Sequence, residues 1–99
     1  MGGMIWGLGA ALLEKTEIDP VMARYVNDNI SEYHVAVNAD VRKLEVVMVP
    51  EEDREVNPLG VKGIGEIGIV GVNAAICNAV FHATGRRIRQ LPIRIEDLL

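Results

Sequence analysis

Hydrophobic residues cover both sides of the first predicted element. Its apolar positions recur at helical spacing on two stripes, formed by Ile5, Leu8 and Leu12 and by Trp6, Ala10 and Leu13. The pattern predicts a short glycine-rich helix over Gly2–Lys15, followed by a break at the Asp19-Pro20 pair. Each glycine weakens a helix by about 1 kcal/mol relative to alanine. We therefore expect the glycines here to permit the close approach of another part of the backbone.

Two later segments have the pattern of extended chain. Tyr33–Val37, with the sequence YHVAV, suits an extended segment, and Leu44–Val49, with the sequence LEVVMV, alternates as a strand until Pro50 stops it. These two segments are candidates to pair with each other. Residues 51–60 are charged and rich in turn formers, which is typical of a solvated connector.

Residues 67–83 predict a long apolar helix. Its apolar positions again form two stripes, one with Ile67, Val70, Ala74, Cys77 and Phe81 and one with Ile69, Val72, Ile76, Val80 and Ala83. Gly85 is placed to cap its end, and the tail predicts a short terminal helix from about Glu96. The predicted class is α+β. Because such apolar helices cannot cover each other in 99 residues, we expect a piece of a larger domain or an obligate oligomer.

Composition and charge exclude several kinds of partner and metal site. The 99 residues are 49% hydrophobic and 24% charged, which suits one small globular domain, and the net charge of −4 disfavours nucleic acid as a partner. The single Cys77 excludes an internal disulfide and a cysteine-rich zinc or iron–sulfur site, which favours a reducing, cytoplasmic location. The apolar N-terminal run lacks a basic flank and is too short to span a bilayer, so we expect no membrane contact.

One carboxylate, Glu66, lies in the glycine-rich stretch 60–71, where the only other charged residue is Lys62. The dinucleotide fingerprint G-x-G-x-x-G is matched there by Gly63, Gly65 and Gly68. Its context is poor, because Pro58 takes the place of the preceding strand and Glu66 would repel a pyrophosphate.

Two other interpretations of Glu66 are open on the residues alone. An acidic side chain is favoured in the first turn of a helix by the backbone dipole, so Glu66 could simply begin the second helix. It could instead be a catalytic general base, since the glycines beside it clear an approach for a substrate or cofactor. Burial would then raise its pKa toward a useful range, while the helix dipole would oppose that rise.

Three stretches of the chain together resemble a known family. NPLGVKGIGEIGIVGVNAAICNAVFHATGRRIRQLPI, which contains Glu66, strongly resembles the C-terminal end of the molybdenum-binding large subunit of the xanthine dehydrogenase and aldehyde oxidoreductase family. GGMIWGLGAALLEKTEIDP and RYVNDNISEYHVAVNADV resemble the segments that precede it there, in the same order. The resemblance implies that residues 1–99 are a C-terminal fragment of a molybdopterin-binding domain.

The resemblance also implies a site and a set of partners. The glutamate that matches Glu66 is the family's active-site base beside the molybdenum, and the backbone around Gly63 and Gly65 lies near the cofactor. Lys62 is predicted either to pair with Glu66 or to contact a cofactor phosphate. The cofactor expected in the full assembly is molybdopterin, in its cytosine dinucleotide form, with molybdenum. No metal ligand is assigned to this chain, and none of these groups is expected to bind the isolated chain.

The expected partners are the remainder of the large subunit, iron–sulfur and FAD subunits or domains, and a second copy when the chain is isolated. The function implied is oxidation of aldehydes, purines or other N-heterocycles, with the isolated chain inactive. The alternative is a structural or oligomerisation module without catalysis. This sequence differs from the family pattern at Ala23, where glycine is frequent, and at Ala36 and Arg42, where proline is frequent.

Other reactive side chains are predicted to have structural roles. His34 and His82 lack a neighbouring ligand at metal-binding spacing, and Cys77 lies on an apolar stripe as a small buried hydrophobe. Four arginines, Arg86, Arg87, Arg89 and Arg94, are interpreted as a solvated or subunit-facing basic edge.

Overall fold

The computed structural model describes residues 1–99. Two helices, a two-stranded sheet and a terminal turn of 3-10 helix make up its regular structure. In chain order these are α1 (Gly2–Leu12), β1 (Ile18–Asp19), β2 (Arg24–Tyr25), α2 (Val72–Thr84) and the 3-10 helix Ile95–Leu98. The mixture of helix with a small sheet supports the predicted α+β class. None of the helices has both the length and the apolar character needed to cross a membrane.

The predicted glycine-rich helix α1 is confirmed, and its glycines bring it against the start of α2. A Cβ on Gly3 would lie 3.1 Å from the backbone nitrogen of Ile69, and one on Gly7 would lie 2.6 Å from the Cβ of Val72. The contact at Gly7 leaves no room for a Cβ, whereas the contact at Gly3, with a residue just before α2, is only tight. The two helices therefore meet at a separation that requires glycine at Gly7. The expected close approach is therefore present at these two positions.

The core is very small and lies at the other end of α1. Two hydrophobic side chains are buried: that of Ala11, which is fully buried, and that of Ile93 in the tail. The backbone N–H of Ile93 donates a hydrogen bond of 2.7 Å to the carbonyl oxygen of Ala11, which ties the tail to α1. Most large apolar side chains stay exposed, as the sequence predicted for a chain whose apolar faces cannot cover one another.

The predicted pair of strands is wrong. The sheet is instead an antiparallel hairpin in which Ile18 pairs with Tyr25 and Asp19 pairs with Arg24. Tyr33–Val37 and Leu44–Val49 are irregular, and no backbone hydrogen bond joins the second segment to any other part of the chain. A strand is held by hydrogen bonds to a neighbouring strand, so a favourable pattern alone does not form one.

The prediction of a long apolar helix from Ile67 to Ala83 is also wrong, because the observed helix starts later and is shorter. The helix α2 begins at Val72, after Gly71, and has 13 residues. The residues before it form successive turns, with hydrogen bonds from the N–H of Ile67 to the oxygen of Ile64 and from the N–H of Ile69 to the oxygen of Glu66. The glycines of this stretch weaken helix formation, so the helix begins only after the last of them.

The ends of the two C-terminal elements agree with prediction. Gly85 follows α2 with a φ of 74°, and its N–H donates to the carbonyl oxygen of Phe81 at 2.7 Å. This is the left-handed cap that glycine favours. The terminal helix is confirmed as one turn of 3-10 helix, in which the carboxylate of Asp97 accepts a hydrogen bond from the backbone N–H of Arg94.

Candidate functional site

Glu66 lies in the series of turns between Gly63 and α2, and its side chain is exposed. No ion pair of the chain includes its carboxylate. Only its backbone oxygen is engaged, by the N–H of Ile69 at 3.0 Å. The carboxylate is therefore free to meet a group that approaches from outside the chain.

The interpretation of Glu66 as the start of a helix is wrong. The first residue of α2 is Val72, and its first turn contains no acidic residue. Because the effect of the helix dipole falls off within the first turn, it does not act on a carboxylate this far before the helix. The burial expected for a general base is also not found in the chain by itself, since Glu66 is exposed.

The glycines beside Glu66 form an open flank. A Cβ placed on Gly63, Gly65 or Gly68 would meet no atom within 4 Å. Packing inside this chain therefore does not require glycine at these positions. At Gly63 and Gly65 the effect is to leave the backbone before Glu66 accessible to a large group.

Lys62 is paired with two acidic residues of the preceding loop rather than with Glu66. Its ammonium nitrogen lies 2.8 Å from Oδ2 of Asp53 and 2.9 Å from Oε1 of Glu51. The hydrogen bond to Asp53, and then the one to Glu51, raise the pKa of Lys62 above its ordinary value of 10.5. The same bond from Lys62 holds the pKa of Asp53 below 3.8. The role of Lys62 toward a cofactor stays a prediction.

Sequence reasoning missed the partners of Lys62 because it interpreted residues 51–60 only as a solvated connector. The acidic residues of EEDREV, which precede Lys62 by several positions, were the available signal, but nothing in them selected Asp53. It also missed a contact between Tyr33 and Glu14, in which the phenol donates a hydrogen bond of 3.0 Å to Oε2. That hydrogen bond is the chief cause that raises the pKa of Tyr33.

The other candidate side chains do not come together as a site. His34 and His82 are exposed, Cys77 is only half-buried, and no three histidine, cysteine, aspartate or glutamate side chains are grouped to hold a metal ion. Arg87 stacks on the ring of Phe81, with 3.6 Å from the guanidinium carbon to the ring centre. Its guanidinium also donates to the side-chain oxygen of Asn78 at 2.9 Å. All four arginines are exposed, and their role as a basic edge stays a prediction.

Comparison with known proteins finds that the whole chain is similar to part of oxidoreductase subunits. No protein-family model matches it. It is 43% identical over 99 residues to the aldehyde oxidoreductase molybdenum-binding subunit PaoC of Escherichia coli, covering 100% of this chain and 14% of that subunit. It is 39% identical over 97 residues to a xanthine dehydrogenase molybdenum-binding subunit of the same species, covering 98% of this chain and 13% of that one.

A third relative is named for a different cofactor. It is a membrane-bound aldehyde dehydrogenase (pyrroloquinoline-quinone) of Gluconacetobacter polyoxogenes, 35% identical over 98 residues, with 99% of this chain and 12% of that protein covered. Over its whole length, the chain is homologous to molybdenum-binding subunits of the aldehyde oxidoreductase and xanthine dehydrogenase family. It spans about one seventh of the length of those relatives.

Proposed function

We propose that this chain is the segment of a molybdenum hydroxylase that carries the general base, Glu66. The enzyme would oxidise aldehydes, purines or other N-heterocycles. The observation that carries the proposal is the exposed, unpaired carboxylate of Glu66 between glycines that leave the backbone open. Homology over the whole chain to molybdenum-binding subunits supports it.

The glycine flank fits a bulky cofactor. Gly63 and Gly65 have nothing within 4 Å of a Cβ position, so a large planar group can approach the backbone beside Glu66. We propose that this group is molybdopterin in its cytosine dinucleotide form with molybdenum, and that the metal, when bound, would supply the redox centre that accepts the electrons of the substrate. Lys62 is less suited to bind a phosphate of the cofactor, because Asp53 and Glu51 already neutralise its charge.

The chemical role of this chain is to remove a proton. The carboxylate of Glu66 would take the proton from the attacking hydroxyl group, and the side-chain-free flank would let that group come within hydrogen-bonding distance. Covering Glu66 with the rest of a subunit would exclude bulk water from its carboxylate. Because the isolated chain leaves Glu66 in solvent, we expect no turnover from it alone.

The assembly would require further protein. We propose iron–sulfur and FAD subunits or domains as electron-transfer partners, with the remainder of the large subunit covering the exposed apolar side chains. We propose a cytoplasmic location and self-association of the chain when it is isolated. The alternative function, a structural or oligomerisation module without catalysis, is distinguished by the substitution of Glu66.

The test uses a hybrid subunit, in which this chain replaces the matching segment of the Escherichia coli aldehyde oxidoreductase subunit. Glu66→Gln should lower kcat at least about 100-fold, the lower end of what a positioned general base contributes. Molybdenum and pterin content should not change, because glutamine keeps the size and hydrogen-bonding reach of the side chain. Glu45→Gln, at an exposed carboxylate outside the site, is the control.

Near-full turnover of the Glu66→Gln hybrid would contradict the assignment of the base and favour the structural alternative. Loss of activity together with loss of molybdenum would contradict it as well, since Glu66 would then hold the cofactor rather than act as a base. Cofactor analysis of the purified hybrid shows whether this chain is compatible with a bound molybdenum cofactor, since one relative is named for pyrroloquinoline quinone instead.

A further inference from the structure

The loop before Glu66 is closed by an ion-paired contact between its ends. Lys62, at the end of the loop, lies 2.8 Å from the carboxylate of Asp53 and 2.9 Å from that of Glu51, at its beginning. The Asp53 side chain is about one-quarter exposed, whereas that of Glu51 is 65% exposed. The contact with Asp53 is therefore the less screened of the two, and we call this pair the Asp53–Lys62 clasp.

Asp53 is fixed by more than its contact with Lys62. Its Oδ1 accepts the backbone N–H of Glu55 at 3.0 Å, which holds its carboxylate in a tight turn. Its carbonyl oxygen lies beneath Gly60, where an added Cβ would be 3.2 Å away and where φ is +67°. Both the side chain and the backbone of Asp53 thus contact the far side of the loop.

The turn between the two ends of the loop is also ordered. The side-chain oxygen of Asn57 accepts the N–H of Leu59 at 3.0 Å and that of Val61 at 3.3 Å. The side-chain amide of Asn57 donates to the carbonyl oxygen of Val61. These bonds, with the positive φ of Gly60, turn the chain back so that Lys62 reaches Asp53.

A second anchor lies on the other side of Glu66. The backbone of Gly68 and Ile69 lies against Gly3 of α1, with 3.1 Å from the Cβ position of Gly3 to the nitrogen of Ile69. Between this anchor and Lys62, the glycines have open space around them. Glu66 is therefore in a short span that is held at both of its ends and has open space around its middle.

We propose that Asp53 and Lys62 are positioning residues, and that their clasp fixes the direction in which the glycine span presents Glu66. The inference rests on the proposed function and assigns Lys62 a role different from that of a phosphate ligand. Glycine-rich chain loses more conformational freedom on ordering than any other, so a span with glycines on both sides of Glu66 needs firm anchors. Opening the clasp releases one of the two.

The first test uses the isolated chain and measures backbone order by nitrogen-15 relaxation. The amides of Gly63 and Gly65 should have order parameters above about 0.6, the boundary of flexible backbone, and should fall below it in Asp53→Lys. Asp53→Lys combined with Lys62→Glu should restore the order, because the pair is present again with its charges exchanged. Glu45→Lys, which breaks the exposed Lys43–Glu45 pair, is the matched control and should change nothing.

The second test measures kinetics in the hybrid subunit. Asp53→Lys should lower kcat about 10- to 100-fold, because a displacement of about 1 Å at a reacting group has costs of that size. KM and molybdenum content should stay within about twofold in Asp53→Lys, whereas a phosphate-binding role for Lys62 would lower cofactor content in the double variant, which lacks Lys62. The charge-exchanged double variant should recover most of kcat.

The proposal is overturned if the order parameters of Gly63 and Gly65 are already below about 0.6 in the unchanged chain. It is equally overturned if Asp53→Lys leaves kcat unchanged, or if the double variant recovers neither order nor kcat. These outcomes differ from the failure of the proposed function, in which Glu66→Gln keeps turnover. If the clasp orders the span but the Glu66→Gln variant stays active, the result would contradict only the catalytic role of Glu66.

Discussion

Gly7 of α1 and Val72, the first residue of α2, meet at a distance that only glycine permits. A Cβ on Gly7 would lie 2.6 Å from Cβ and 2.8 Å from Cγ1 of Val72. Rotation of the Val72 side chain cannot relieve this contact, because Cβ itself makes it and does not move when the side chain rotates. The position of α2 against α1, and with it the anchor after Glu66, therefore depends on Gly7.

We expect Gly7→Ala to lower the free energy of unfolding by about 1–3 kcal/mol, the usual effect of overpacking, even though alanine favours a helix. Urea denaturation followed by circular dichroism measures this. Gly2→Ala is the matched control, since a Cβ there meets nothing within 4 Å. Equal stability of the Gly7→Ala and Gly2→Ala variants would show that the helices do not meet at Gly7.

Ala23 has a φ of 49°, the left-handed region that glycine adopts without strain. It follows the turn in which the carboxylate of Asp19 accepts the N–H groups of Val21 and Met22. The left-handed conformation costs a residue with a Cβ about 1–2 kcal/mol, whereas glycine adds about 0.4–1 kcal/mol of unfolded-state entropy. We therefore expect Ala23→Gly to stabilise the chain by about 0.5 kcal/mol.

A shift in the midpoint of thermal or urea denaturation measures the effect of Ala23→Gly. Ala36→Gly is the control, because Ala36 has no positive φ, and it should destabilise the chain by about 0.4–1 kcal/mol through the unfolded-state entropy alone. If both substitutions destabilise the chain equally, Ala23 is not strained. Glycine is frequent at this position in the family that the sequence resembles, and this φ value explains why glycine is favoured there.

The Asp53–Lys62 clasp should open in acid. The pKa of Asp53 is held below 3.8 in the folded chain, chiefly by the bond from Lys62. Its stabilising contribution is therefore present above the unfolded value and is lost as the pH falls through the folded one. A carbon-13 titration of the Asp53 carboxyl should give a midpoint below 3.8. In Lys62→Met the midpoint should rise, and an unchanged midpoint would contradict the pairing.

Exposed apolar side chains should make the isolated chain self-associate. Val47 and Val49 are 80% and 81% exposed in a segment without backbone partners, and Val70, before α2, is 81% exposed. Large apolar surfaces of this kind are uncommon on monomers. Sedimentation equilibrium at about 10–50 micromolar, the range that detects weak association, should give a mass above that of one chain. Val47→Lys should reduce association, and a monomer at all concentrations would contradict the prediction.

Local features of the sequence were enough to predict several elements of this fold. The helix α1 follows from the spacing of its apolar residues, and the end of α2 follows from Gly85, whose left-handed conformation is a property of a single residue. The terminal helix could likewise be predicted within about one residue. Each of these depends on neighbours within a few positions along the chain, which a sequence displays directly.

The tertiary structure decided the features that depend on distant partners. Leu44–Val49 has the pattern of a strand but no neighbour to bond with, since strand formation depends on a second segment rather than on propensity alone. The helix α2 begins at Val72 rather than at the predicted Ile67, because the glycines end there and α1 packs against that residue. Lys62 took Asp53 as its partner instead of Glu66, because the turn around Asn57 folds the loop back on itself. The presence of Glu66 among glycines is visible in the sequence, but its exposure and its two anchors are properties of the folded chain.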